Sequence, residues 1–208
     1  MSDFDIECYS ESDYIKQHVE LADKSLKDLA ILRHDNWPGG GLVIVGKPSG
    51  SSCYRCEIVL VPSGHIILTG DLDTMVWGRW NIAEGGVREA IRWMARSDVS
   101  YYVRQKASIG MNNIGCEQFE LPVAIWEARE YLRDAQRDEC SSAEKWKKIV
   151  AKLESEDEEW TQDSVTELLY TTLCDCDIPN IGMVPSQRLL WAWSLLRRAD
   201  ALFHLREA

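Results

Sequence analysis

Three clusters in this chain have residue types and spacing that suit chemistry. His65 heads an apolar run, and Asp71 and Asp73 follow in the next turn. One imidazole with two carboxylates is the raw material of acid–base, hydrolytic or metal chemistry. The plainer reading is that Gly70-Asp71 is ordinary hairpin chemistry and that His65 is a surface residue. Cys53-x-x-Cys56 and Cys174-x-Cys176 supply four thiols, the number a zinc site takes. The first pair falls in an expected strand, where residues three apart face opposite sides, so reduced thiols and no metal are expected. No paired histidine motif, phosphate loop or nucleophile elbow occurs, and KPSGSS at 47–52 has neither the spacing nor the following helix of a P-loop. No cofactor is expected, and whether the chain is an enzyme stays open.

The third cluster is cationic. Arg55 and Arg79 come from the apolar runs, and Arg88, Arg92 and Arg96 recur every four residues on one helix face. Trp77, Trp80, Trp93, Tyr101 and Tyr102 lie close in sequence. Together they could hold an anion with a stackable ring, such as a nucleotide. The alternative is a solvated helix face beside core aromatics. Opposite in sign is ESEDEE at 154–159, the one charge run. Its Glu154, Glu156, Asp157, Glu158 and Glu159 are candidate contacts for a basic partner, or a solvated helix end.

The elements that position these groups are legible from periodicity. Residues 41–80 read as short runs rich in Val, Ile and aromatics, separated by Gly, Pro and Ser turns too short for a crossover helix. They predict an α+β fold: a three- or four-stranded antiparallel meander packed on helices, with an all-helical C-terminal half. Tyr54, Cys56, Ile58 and Leu60 should face the helices, and Ile66 and Leu68 should share a face. Helices are expected over 12–34, capped at Ser12 or Asp13, and from Asn81 to about Arg96. Others are expected over 99–109, 121–138, 142–154, 161–174 and 186–205, the last central to a C-terminal bundle. Residues 1–114 are expected to form the α+β core, and 115–208 a helical region packed on it as one unit.

The 208 residues carry a net charge of −11. Residues 1–40 hold nine acids and four bases, 41–114 six and eight, and 115–208 nineteen and eleven. Duplex nucleic acid is disfavoured as a partner, since phosphate contact needs a dominant basic face. No apolar run is long enough for a membrane span, and no basic-then-apolar leader opens the chain. A cytoplasmic protein with reduced thiols is expected.

The run LRHDNW, then CYRCEIVLVPSGHIILTGDLDTMVWGRW, then SYYVRQKAS resembles a group of phage and prophage proteins of unassigned activity. These carry an arginine–histidine element, a PGH turn, a GDMG turn, an aromatic strand ending in Arg, and a tyrosine-bearing helix. The correspondence spans roughly residues 25–108 and places Arg33, His34, His65, Asp71 and Arg79 on those motifs. PSGH stands for PGH here, and LD where MG is the pattern. The resemblance implies a viral accessory protein in the host cytoplasm. The leading expectation is an anti-defence, anti-CRISPR-like inhibitor that binds a basic host protein through an acidic surface. The alternatives are a nucleotide-binding sponge using the arginine set, or a hydrolase using His65 and Asp71.

Overall fold

In this computed structural model the described residues are 8–49, 54–72, 74–78, 86–99, 107–109, 116–155, 159–173 and 178–205. The chain divides into two compact units, Lys16–Glu117 with Pro185–Ala208, and Met1–Ile15 with Gln118–Val184.

The first unit is built on six strands that pair in sequence order, every neighbour antiparallel. They are β1 (Ala30–Trp37), β2 (Gly40–Gly46), β3 (Cys56–Leu60), β4 (Ile66–Gly70), β5 (Met75–Trp77) and β6 (Ala107–Ile109). Alternation decides their faces. Val43, Ile58, Leu68 and Met75 lie opposite one another across four strands, and all are fully buried. Each such side chain removed from water stabilises the fold by roughly 1.5–3 kcal/mol before entropy is counted. Helix α2 (Gly86–Arg96) packs on β1–β3, burying Val87, Ala90, Ile91 and Met94. Its close approach depends on Gly41, where a Cβ would lie 2.6 Å from Val87 Cγ1.

In the second unit, helices α3 (Leu121–Arg137), α4 (Ala143–Leu153) and α5 (Gln162–Leu173) enclose Ile125, Ala128, Trp146, Ile149, Leu153, Val165 and Leu169. Proline at the start of α3 costs no hydrogen bond there. Thr161 and Ser164 cap α5 reciprocally through their hydroxyls and amides.

The α+β class holds, as does a largely helical C-terminal half, but several elements differ from the sequence reading. The helix expected over 12–34 is α1 (Glu11–Leu26), capped by Ser10, whose hydroxyl accepts the Asp13 amide while Asp13 accepts the Ser10 amide. Residues 30–37 are instead strand β1. Apolar β2 needs a ladder partner on its free edge, and ILRHDNW supplies one despite a bulge between Ile31 and Arg33. Six strands replace the expected three or four, and Ala107–Ile109, expected in a helix, forms β6 against β5. A short strand β8 (Met183–Pro185) interrupts the helical half and pairs with β7 (Glu117–Phe119).

Helix α6 (Gln187–Leu205) belongs to the sheet's unit, where it packs on α2 and β1, rather than to a C-terminal bundle. Trp193 Nε1 donates to Met94 O at 3.1 Å, and Arg198 donates to the carbonyls of Lys27 and Leu29, closing the turn after α1. Among the described residues no helix is long and apolar enough to cross a membrane.

Candidate functional site

Helical spacing carries Arg88, Arg92 and Arg96 to one face of α2, and that face meets α6. Asp200 of α6 is only 8% exposed. Its carboxylate lies 3.8 Å from Arg92 Nε, 3.7 Å from Arg96 Nε and 3.6 Å from His204 Nε2. Arg92 also donates to Glu89 at 2.9 Å, and the Arg88 guanidinium sits 5.3 Å above the Phe203 ring. The three arginines therefore clasp two helices together. Two guanidinia converging on one carboxylate offset its burial, which leaves little of their field for a ligand. Arg55 lies instead just before β3, and Arg79, Trp80, Tyr101 and Tyr102 are outside the described residues.

The other motif residues do not gather into one site. Arg33 is exposed and ion-pairs with Asp35 two residues on. His34 sits beside the same clasp, its ring 5.0 Å from Phe203 in an edge contact. His65 closes the β3–β4 turn: Val61 donates to its carbonyl, and its Nδ1 is 2.9 Å from Ser63 Oγ. Asp71 leaves the far end of β4, where Oδ2 accepts the Arg55 amide at 3.0 Å. Five strand residues separate the two, and at ~3.3 Å each plus the flanking steps that is about 20 Å. One imidazole and one carboxylate that far apart cannot share a reacting atom. The hydrolase arrangement is therefore corrected by strand length, because an extended segment puts its ends at maximal separation.

Cys56 is buried in β3, with its thiol pushed up from the ordinary value by desolvation. Cys8, Cys56, Cys116 and Cys140 are free thiols, and Cys53, Cys174 and Cys176 lie outside the described residues. Among the described residues no three His, Cys, Asp or Glu side chains gather as a metal set.

Of the acidic candidates, Glu154 is held within its unit: Oε1 receives Arg129 Nε at 2.8 Å and Nη2 at 2.7 Å. Glu159 is exposed, and Glu156, Asp157 and Glu158 lie outside the described residues. The second unit also carries a site that sequence reasoning missed. A groove of about 380 Å³ runs along α3, lined by Trp126, Glu127, Glu130, Tyr131 and Asp134 together with Asn180 and Ile181. Tyr131 stacks on Trp146 with ring centres 4.7 Å apart and planes 9° apart, yet is 42% exposed. Glu127 anchors the groove's wall by accepting the Gly182 amide at 2.7 Å. The signal was present as an acid–aromatic stripe at 126, 127, 130, 131 and 134, beside the apolar stripe that was read.

No protein family, characterised protein or solved structure matches this chain.

Proposed function

We propose that this protein acts by binding, and that its site is the α3 groove, which takes a basic segment of a partner protein. The observation that supports this most is Tyr131, a rigidly backed aromatic face exposed among Glu127, Glu130 and Asp134. A lysine or arginine side chain gains there from the ring face and from the carboxylates together. Residues 118–184 of the groove's own unit hold sixteen acids against seven bases, a surplus that steers such a partner toward it. In the viral setting that the resemblance implies, the partner is a basic host protein. Occupying its nucleic-acid-binding surface would inhibit a host defence component. The acids at 154–159 and in the first forty residues then act as a long-range attractive field.

Biosensor binding of an arginine/lysine-rich peptide tests the reading. Glu130→Lys with Asp134→Lys should slow association by about tenfold at low salt, and Tyr131→Ala should speed dissociation. Wild-type binding should weaken steadily as salt rises. Peptide binding that ignores both variants and salt would sink the proposal.

A further inference from the structure

A second cleft, of about 520 Å³, opens in the sheet's unit between the corner after β4 and the first turns of α6, lined by Gly70, Asp71, Leu72, Gln187, Arg188 and Trp191. Its size falls in the range that encloses small ligands. Four features give it a chemical character. The Trp191 indole lines one wall and is backed by Tyr54, with ring centres 5.9 Å apart and planes at 20°. The Lys47 ammonium sits 5.6 Å over the ring of Tyr54, the same ring that backs Trp191. Tyr54 adopts a left-handed backbone conformation, φ +62°, which a non-glycine residue rarely takes. Asp71 is fixed by accepting the Arg55 amide and returning its own amide to the Arg55 carbonyl. Gly70 permits that corner: a Cβ there would collide with the same carbonyl.

We infer that this cleft binds a nucleotide. The base stacks on the Trp191 face, Arg188 and Lys47 hold the phosphates, and Asp71 accepts a sugar hydroxyl or exocyclic amine. Stacking on an aromatic wall tolerates any base, whereas two cations demand an anion. The amino end of α6, where Gln187 and Arg188 lie, adds the positive end of the helix dipole. This site is separate from the α2 arginines, which Asp200 and Phe203 occupy, and is independent of the α3 groove. Lys47 comes from the KPSGSS segment, which fails as a P-loop yet places a cation over the Tyr54 ring.

Isothermal titration of the full chain with ATP, adenosine and pyrophosphate tests the inference. ATP should bind, with adenosine and pyrophosphate each weaker by about tenfold or more, because each lacks one half of the recognition. Arg188→Glu, at an exposed position, should weaken ATP about tenfold with an unchanged melting temperature. Should that variant melt early, Lys47→Ala reads the same loss on a different element. Glu130→Lys should leave ATP affinity unaltered. No ATP heat up to millimolar concentration would overturn the proposal. Pyrophosphate binding as tightly as ATP, or an affinity indifferent to both cation variants, would do the same.

Discussion

Asp200 on α6 and Glu130 on α3 are both helix carboxylates with arginine in reach, yet they have opposite fates. Asp200 is buried and faces two guanidinia and an imidazole from its own unit. Glu130 meets one arginine three residues on, Arg133 at 2.6 Å, and keeps a partly exposed side chain at the rim of a groove. Charge turned inward becomes structure, because burying a carboxylate is tolerable only with partners in place. Charge left at a surface costs folding little and stays available to another molecule. A spaced arginine ladder therefore says little about function until the residues across from it are known.

The comparison is most easily broken by Asp200→Ala. It leaves two guanidinia converging on a face that has lost its carboxylate. We expect about 2–3 kcal/mol lower stability in urea unfolding, below the full cost for a deeply buried pair because Arg96 is largely exposed. A loss of only a few tenths would make the clasp ornamental.

The thiols offer a second contrast. Burial raises Cys56, so its unfolded value near 9.0 lies below its folded one. The neutral thiol favours the fold, and that contribution is complete below pH 9 and lost as pH rises through the folded value. Cys140 is exposed and goes the other way, its thiolate favoured chiefly by the Ser142 hydroxyl, which donates to Sγ at 3.2 Å. Alkylation followed by mass spectrometry should therefore label Cys140 first, from below the ordinary thiol range, and Cys56 only on unfolding. Equal rates at pH 8 would contradict both assignments.

The smallest effect expected is on the groove side. Glu130→Ala and Asp134→Ala each remove a surface pair, with Arg133 and Arg137 respectively, and should shift stability by no more than about 0.5 kcal/mol. Thermal melts check this. A shift as large as that of Asp200→Ala would erase the distinction between the two carboxylates.

Much of the fold was legible in local pattern. Period-two alternation over 56–60 and 66–70 set which residues are buried, since a strand's side chains can only alternate. The 3.6-residue stripes gave the carboxyl end of α2 and the C-terminal helices nearly to their ends, while Asn81, the expected start of α2, lies outside the described residues. Two misreadings share one cause. Residues 30–34, expected in the first helix, belong to a strand because β2 offered them an edge. Gln187–Leu205 read as a bundle helix and went to the sheet because α2 offered it a face. Partner choice is tertiary, and propensity cannot see it.

The same division holds for the sites. Sequence by itself determined the inventory: a −11 chain, an arginine every fourth residue on α2, and an acid–aromatic stripe on α3. It could not determine pairing, because whether a charge is free depends on what faces it. Asp200, more than a hundred residues from Arg92, turned the arginines into a clasp. The length of β4 parted His65 from Asp71. Trp191, far along the chain, came to stack on Tyr54 and to line a cleft with Asp71. Spacing along one element fixes a face, and only packing between elements fixes what that face meets.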